Sequence, residues 1–287
     1  MAAETGLTTK LSRAIEVEFV NKFGLQVGAL IELLNVRRKV EMPLGATIKT
    51  YKSSVTLAEG KVAKGDIIPL SEVKKEVADT FELEWNKFRK AVAIEDIQMY
   101  GAKQALMNTD EALLKEVQKG IRKKLIDNLA KGTGKAEGVG LQAALAQGWG
   151  AVQTVFEDDA VQTIAFANPQ DIADYLAKAN ISIQTAFGLS YVENFMGASV
   201  VVISPLVPAK TIYATAPENL VIAYAPMNGE AGSTFDFYSD DTGLVGITHD
   251  TAKERLQAET ILANAMVLFA ERLDGVVVVT IKDAVEA

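Results

Sequence analysis

The sequence predicts an α+β protein whose helices and strands occupy separate stretches of the chain. Three observations lead to this prediction. Apolar residues recur at helical spacing near the start of the chain and again over residues 109–132. Residues 40–94 and 241–287 alternate apolar and polar side chains as strands do. We therefore expect one sheet-containing lobe, built from both parts of the chain, around a second lobe inserted at residues 137–240.

The composition is that of an ordinary globular protein, and it excludes several kinds of site. The 287 residues are 49% hydrophobic and 23% charged, and they contain no apolar run long enough to span a membrane. The first six residues lack the charged start and apolar core of a signal peptide, and we expect no membrane partner; the absence of cysteine fits synthesis in a cytoplasm. Because cysteine is absent, disulfides, thiol nucleophiles and thiolate metal ligands are excluded.

Charge is distributed unevenly along the chain. The formal net charge of −8 argues against binding of free nucleic acid. Residues 1–135 contain 23 basic and 18 acidic residues, a net +5, whereas residues 136–287 contain 6 and 19, a net −13. The molecule can therefore present opposite signs to different neighbours.

Residues 1–39 are predicted to form an N-terminal arm and helix. The apolar positions of the helix recur every four residues: Leu11, Ile15, Phe19 and Phe23. Gly24 is expected to end it, and a second apolar stretch over residues 25–36 follows. The stretch closes with Arg37-Arg38-Lys39, which either contacts phosphate or forms a solvated helix end that the helix dipole favours.

Residues 40–94 are predicted to form a long exposed hairpin. Ala46, Ile48 and Thr50 alternate with polar residues on the first strand. The apolar residues of the second strand stand at odd-numbered positions and therefore share one face: Val77, Phe81, Leu83 and Trp85. The glycine-flanked, charged residues 58–66 between them are typical of a hairpin tip. An isolated hairpin of this length is marginally stable in water, so we expect it to lie on a neighbouring molecule.

Residues 95–132 are predicted to be helical, with a break near Asn108. Asn108 or Thr109 is a suitable cap, and Lys131 and Gly132 close the helix. One apolar stripe runs along it: Leu114, Val117, Ile121, Leu125 and Leu129. The opposite face is basic: Lys115, Lys119, Arg122, Lys123 and Lys124. This face is either simply solvated or a contact for DNA or a partner protein.

A glycine-rich segment follows the helix, with glycine at positions 132, 134, 138 and 140. A phosphate-binding loop would need glycine where Leu129 stands and serine or threonine where Ala136 stands, and it would follow a strand rather than a helix. We therefore interpret Gly132, Gly134, Gly138 and Gly140 as a hinge between two lobes.

The remaining chain is predicted to form an α/β lobe and closing strands. Asn168-Pro169 starts a helix, residues 199–204 form a buried strand that Pro205 ends, and residues 211–225 contain two more strands. Asn228-Gly229 indicates a turn. Thr260 to Ala270 and Val276 to Ile281 are predicted to be long strands, joined by the turn at Asp274-Gly275.

No group of residues predicts catalysis. His249 is the sole histidine, and the adjacent Asp250 would point to the opposite face of a strand, so we expect a surface residue at a strand end rather than part of a triad. One histidine without cysteine makes a zinc site improbable, and residues 236–241 miss the calcium-loop pattern. We therefore predict no enzyme, metal or cofactor, and a structural or binding role.

Taken in order, the segments resemble the major capsid proteins of tailed bacteriophages with the Hong Kong 97 fold, over almost the whole chain. The residues that carry the resemblance are Phe19 to Phe23, Leu33, Leu34, Arg37 and Met42 to Gly45; Ile48 to Lys52, Glu59, Gly60 and Ile67 to Leu70; Gly132 to Gly134, Gly138 and Gly140; Phe166 to Pro169, Val201 to Pro205, Pro217 to Val221 and Gly275 to Ile281. The first group is similar to the entry of this family in phages of Gram-positive hosts.

The resemblance implies a Hong Kong 97-like capsid fold with five parts. These are an N-terminal arm (1–39), an E-loop hairpin and peripheral strand (40–94), a peripheral domain with a long spine helix (95–136), an axial domain (137–240) and return strands of the peripheral domain (241–287). It also implies that the E-loop contacts neighbouring subunits through Lys49, Tyr51, Lys52, Glu59, Lys61, Lys64 and Asp66.

The function implied by this resemblance is that of a major capsid protein. Hexamers and pentamers of the chain would form an icosahedral shell around double-stranded DNA, held by non-specific contacts, in a virion assembled in the host bacterial cytoplasm. A portal protein and a separate scaffolding protein are the expected partners, since the resemblance begins near residue 10. An encapsulin, a shell of the same fold that holds enzymes, is the alternative. A hydrolase that uses His249 is a third reading, which the poor arrangement of polar residues disfavours.

Overall fold

The structure is a computed structural model of the chain, and it describes residues 9–56, 58, 61, 67, 70–157, 161–176, 183–186 and 188–283. Three residues predicted to make E-loop contacts, Glu59, Lys64 and Asp66, lie outside the described residues.

Six helices and fifteen strands follow one another in the described parts of the chain. The helices are α1 (Thr9–Leu33), α2 (Ile94–Tyr100), α3 (Ala102–Leu129), α4 (Gly140–Val155), α5 (Pro169–Leu176) and α6 (Glu230–Thr234). The strands are β1 (Arg38–Glu41), β2 (Thr47–Thr56), β3 (Glu72–Glu82), β4 (Asn86–Ala93), β5 (Gly134–Val139), β6 (Ile164–Ala167), β7 (Gln184–Ala186), β8 (Leu189–Phe195), β9 (Ala198–Ile203), β10 (Thr211–Thr215), β11 (Leu220–Tyr224), β12 (Gly246–Ala252), β13 (Gln257–Asn264), β14 (Met266–Ala270) and β15 (Val276–Lys282).

The strands form one large sheet and three small ones. The large sheet has seven strands in the order β5-β15-β10-β6-β9-β8-β7, and α4 packs on it. Two sheets of three strands, β1-β11-β14 and β12-β13-β4, combine strands from distant parts of the chain. β2 and β3 pair as a separate two-stranded hairpin. The predicted mixed α+β class is confirmed.

Helix α1 continues through Gly24, so the predicted end at that residue is wrong. The apolar stripe does not stop there: Val27 and Leu30 are buried in the main core together with Phe19 and Phe23. A glycine inside a helix costs about 1 kcal/mol relative to alanine. Burial of one large apolar side chain contributes about 1.5–3 kcal/mol. The stripe therefore outweighs the glycine, and the helix runs to Leu33.

Helix α3 is also longer than predicted, because the break lies at Gly101 and not near Asn108. Gly101 has a φ of +80°, a conformation that glycine adopts without strain. Asn108 accepts a hydrogen bond from Gln104 within the helix at 2.7 Å, and the Thr109 hydroxyl donates to the carbonyl of Ala105 at 3.0 Å. Both side chains thus bond along the helix instead of capping it. The predicted stripe from Leu114 to Leu129 is confirmed in the main core.

Two predicted strands are divided in the structure. The strand expected to reach Trp85 ends at Glu82, and β4 begins at Asn86 in a different sheet. The strand expected over residues 260–270 is split at Ala265, so that β13 pairs with β12 and β4 whereas β14 pairs with β11. β15 belongs to the seven-stranded sheet, so the turn at Asp274-Gly275 connects two sheets. Alternation along the sequence could not reveal these changes of sheet.

One helix start and three strands predicted for the middle of the chain are confirmed. Asn168 Oδ1 accepts a hydrogen bond from the backbone N–H of Gln170 at 2.9 Å, and α5 begins at Pro169. Strands β9, β10 and β11 lie where residues 199–204 and 211–225 predicted them.

Candidate functional site

The β2–β3 hairpin has few attachments to the rest of the described chain. Its strands pair with each other, with a register shift between Thr50 and Tyr51. At its base, the Tyr51 N–H donates to the carbonyl of Glu271 at 3.0 Å, and Lys131 forms an ion pair with Asp79. The hairpin is therefore anchored at its base and extends away from the core.

Apolar side chains of the hairpin are exposed. Val73 and Val77 lie on the same face of β3 and are 60% and 50% exposed. Ile67 and Leu70, which precede β3, are almost fully exposed. A two-stranded sheet with exposed apolar side chains is marginally stable on its own, so covering this surface would stabilise it.

The described residues of the predicted E-loop set lie on this hairpin. Lys49 and Lys61 are exposed, and Tyr51 is half-buried at the base. Lys52 pairs with Glu76 across the strands, although its side chain lies outside the described part. The contacts of these residues with a neighbouring subunit stay a prediction.

The basic face of α3 contains both exposed and anchored cations. Lys115, Lys119 and Lys123 recur at intervals of four residues and are exposed. Lys124 donates to the Asn86 side chain at 2.9 Å. The Arg122 guanidinium donates to the carbonyl of Gly188, and burial lowers the pKa of this guanidinium. Arg122 therefore attaches α3 to the turn before β8. The three lysines are exposed to solvent or to an anionic partner, and Lys119 also lies 3.8 Å from Glu116.

The glycine-rich segment passes directly from α3 into the seven-stranded sheet. Gly134 and Gly138 belong to β5, which pairs in parallel with β15. A Cβ atom on Gly132 would lie 2.7 Å from Val276, and one on Gly138 would collide with the backbone of Ala144. Gly140 has a φ of +75° at the start of α4. Close packing and backbone conformation thus account for these glycines, and their role as a hinge stays a prediction.

His249 is buried, so its predicted position on the surface is wrong. Its side chain is 0% exposed, because α1 and α3 cover the strand β12 that carries it. Nδ1 lies 3.3 Å from Glu16 Oε1, and Nε2 lies 3.3 Å from Asp110 Oδ2. The backbone N–H of His249 also donates to Glu16 Oε1 at 3.0 Å. Asp250 is exposed, in agreement with its expected direction away from His249.

Lys90 completes a buried ionic cluster, which we define as Glu16, Lys90, Asp110 and His249. Lys90 Nζ lies 2.6 Å from Asp110 Oδ1 and donates to the carbonyl of Leu106 at 3.1 Å. The Thr260 hydroxyl donates to Asp110 Oδ1 at 3.3 Å. Five elements therefore meet at this cluster: α1, β4, α3, β12 and β13.

Burial disfavours the charged forms of the cluster residues, and the hydrogen bonds and ion pairs between them favour those forms. Burial opposes the charge of His249, but the bonds to Asp110 and Glu16 outweigh it and raise the pKa of the imidazole. Burial also opposes the charge of Glu16, yet bonds from His249 and Arg13 lower the pKa of its carboxyl. For Lys90 burial prevails over Asp110, and the pKa of the ammonium is lowered.

One feature of the sequence indicates a buried polar cluster at this place. Glu16 lies four residues before Val20 and three before Phe19, on the apolar stripe of α1, where a carboxylate needs a buried partner. Nothing in the local sequence shows that the partner is His249. Because the imidazole is enclosed between carboxylates, the arrangement does not present it to a substrate.

Within the described residues, no three histidine, aspartate or glutamate side chains converge in the manner of a metal site. No helix in the same ranges combines the length and apolar character needed to cross a membrane.

The chain is similar to known proteins in its fold and not in its sequence. No family model and no curated protein sequence matches it. Among solved structures it is similar to the capsid of an empty GTA particle (TM-score 0.57, 11% identity, 89% of this chain and 90% of that one). It is also similar to the protein of Mycobacterium phage Patience (0.52, 10%, 98% and 91%). A third similar structure is the holo-SrpI encapsulin complex from Synechococcus elongatus (0.51, 12%, 89% and 90%).

These similarities extend over most of both chains and establish a Hong Kong 97-like capsid fold for this chain. Both phage capsids and encapsulins are among the similar structures.

Proposed function

We propose that the chain is the major capsid protein of a tailed bacteriophage, assembling as hexamers and pentamers into an icosahedral shell around double-stranded DNA. The observation that carries this proposal is the part of the β2–β3 hairpin beyond its buried base, with Val73 and Val77 exposed on one face, in a chain with a capsid fold. A surface of this kind serves an assembly in which every subunit covers part of its neighbour.

The energetics of the hairpin support a contact between subunits. Burial of apolar surface contributes ~25 cal/mol per Å², and full burial of one exposed valine or leucine contributes about 1.5–3 kcal/mol. Val73, Val77, Leu70 and Ile67 would therefore stabilise one contact by several kcal/mol before the cost of ordering is subtracted. A closed shell repeats such a contact in every subunit, so a modest contact suffices.

The further partners follow from the same proposal. A separate scaffolding protein would guide assembly, and a portal protein would occupy one vertex. Lys115, Lys119 and Lys123 on α3 are suited to non-specific contact with DNA phosphates. A Gram-positive host is part of the proposal, because the resemblance of the sequence around residues 19–45 implies it. The protein would act in the virion after assembly in the host cytoplasm, without a catalytic role.

A second candidate is an encapsulin-type shell that encloses enzymes. It is favoured by one observation: the similarity to the holo-SrpI encapsulin complex is about as extensive as the similarity to phage capsids. The two candidates share the fold and the use of the hairpin, and they differ in what the shell contains.

Electron microscopy of the purified chain, followed by analysis of particles from the natural source, tests both candidates. We expect closed icosahedral shells that protect double-stranded DNA from nuclease. Shells that contain a folded enzyme and no protected DNA would establish the encapsulin alternative. A protein that stays monomeric at all concentrations and salt conditions, alone and with co-expressed neighbouring genes, would refute shell assembly.

A further inference from the structure

The positions of the groups around His249 indicate that its imidazole is protonated. Both ring nitrogens face carboxylate oxygens, Nδ1 towards Glu16 and Nε2 towards Asp110, each at 3.3 Å. A neutral imidazole has one N–H donor and one lone pair, whereas an imidazolium has two donors. In the neutral form, one nitrogen would direct its lone pair at a carboxylate oxygen. Only the imidazolium can bond to both carboxylates.

The charge balance of the cluster agrees with this conclusion. The side chains of Glu16, Asp110 and Lys90 are 6%, 5% and 15% exposed, and that of His249 is 0% exposed. With His249 protonated, two buried carboxylates face two buried cations. Without that proton, Lys90 is the sole buried cation beside two carboxylates, and an unbalanced buried charge is costly.

The ionic cluster lies beside the first part of α1, so an unbalanced charge in it would affect the attachment of that part of the helix. The second part of α1 is held by large apolar side chains in the main core, including Phe23, Val27 and Leu30. The first part, residues 9–18, contributes Ile15 to a small apolar cluster with Val92 and Leu106. The bonds of the ionic cluster therefore have a larger share in holding the first part of the helix.

We propose that His249 is a proton-controlled latch that holds residues 9–18 of α1 against β12 and α3, and that loss of its proton releases this part of the helix. The latch belongs to the folded subunit and does not rest on the proposed shell assembly. Its release would expose Ile15 and the apolar surface of Val92 and Leu106 to solvent.

Groups from every packed element act on the latch. From α1, Glu16 faces the imidazole, and Arg13 pairs with Glu16 at 3.2 Å while its guanidinium lies over the Tyr238 ring at 4.5 Å. The other elements supply a second set of groups: Asp110 and Thr109 from α3, Lys90 from β4, and Thr260 and Glu259 from β13. Glu259 is occupied by Arg89, so it competes little for the imidazole.

The direction of the pH dependence follows from the two shifted groups. The raised pKa of His249 means that its contribution is complete below the ordinary value of 6.5 and is lost as the pH rises through the folded-state pKa. The lowered pKa of Glu16 means that its contribution is complete above the ordinary value of 4.5 and is lost as the pH falls through its folded-state pKa. The latch is therefore fully closed between these two ordinary values and opens on the alkaline side when the proton leaves His249.

Hydrogen–deuterium exchange measured by mass spectrometry tests the latch on the intact subunit or on an assembled particle. The slow exchange at the imidazole carbon Cε1 reports the pKa of His249 without ambiguity, because the chain has one histidine. We expect this pKa above the ordinary value. Amide exchange of residues 12–18 should rise relative to residues 24–33 across the same titration. The comparison of the two parts of α1 cancels the general acceleration of exchange with pH.

Matched variants complete the experiment. E16Q should lower the pKa of His249, and H249Q should make the exchange ratio of the two helix parts independent of pH. D250N, which changes an exposed carboxylate on the same strand, should alter neither quantity. The proposal is overturned by a wild-type imidazole that titrates at or below its ordinary value, by a constant exchange ratio in the wild type, or by equal effects of D250N and E16Q. The wild-type measurements decide the matter even where a variant fails to fold.

Discussion

Valines lie in very different surroundings in the β2–β3 hairpin and in the seven-stranded sheet, where Val201 and Val277 are buried. In the sheet, every residue of β6 is buried, and α4 covers the surface with Ala144 and Leu145. In the hairpin, Val73 and Val77 are at least half exposed, whereas Ile48 near the base of β2 is buried with Val221 and Phe269. The same residue type therefore stabilises the subunit in one region and is available for assembly in the other.

The largest effect is expected from removing the hairpin tip. Deletion of residues 54–67 should abolish shell formation but leave a folded, soluble subunit, because the attachments of Tyr51 and Asp79 at the base remain. Circular dichroism and electron microscopy of the same sample would measure the two properties. A deletion variant that closes normal shells would refute the role of the hairpin, and an unfolded one would show that the tip belongs to the core.

Substitution of two phenylalanines tests the contribution of the seven-stranded sheet to stability. Phe166→Ala, in the middle of the seven-stranded sheet, should lower the free energy of unfolding by about 3–5 kcal/mol, because it leaves a cavity in the main core. Phe235→Ala is the matched control: that ring is 66% exposed, and the change should stay within about 0.5 kcal/mol. Denaturant unfolding of both variants measures the difference, and equal losses would contradict the assignment of the core.

Substitution of His249 is expected to have a smaller effect on the free energy of unfolding. A surface position would make His249→Ala neutral, whereas the buried position predicts a loss of about 1.5–3 kcal/mol at neutral pH, since Glu16 and Asp110 lose a shared donor. The loss should shrink at alkaline pH, where the wild-type imidazole is neutral as well. Unfolding measured at several pH values checks this dependence, and a loss that is constant with pH would disagree with it.

The exposed valines of the hairpin allow a milder change than deletion. Val73→Ser combined with Val77→Ser should weaken each contact between subunits by roughly 1–3 kcal/mol and raise the concentration needed for assembly, without a change in unfolding of the subunit. Glu76→Ser lies on the opposite face of β3 and serves as the control. Light scattering over a concentration series measures the threshold. A similar shift for the control would mean that the valine face is not the contact.

The smallest effect concerns charge. The basic first half and the acidic second half predict that complementary charges help subunits associate, so the assembly rate should fall as salt screens them. Assembly kinetics from low to molar salt would show this. The hairpin contact, being partly apolar, should keep shells closed once formed, and an assembly rate independent of salt would contradict the role of charge.

Features that depend on local periodicity could be predicted from the sequence. The stripe from Leu114 to Leu129, the helix start at Asn168-Pro169 and strand β9 agree with prediction, because each follows from residues within one or two turns or along one strand. The separate course of the hairpin was equally visible, since a polar, glycine-flanked tip is a local signal.

Which elements contact one another depends on the folded molecule as a whole. Periodicity identifies the buried face of a strand but not its partner, so the division of residues 257–282 among three sheets was not predictable. The same limit hid the ionic cluster: Glu16 and Asp110 are separated from His249 by 233 and 139 residues along the chain. A buried charge selects partners through desolvation in the folded molecule, and a sequence pattern contains no measure of that environment.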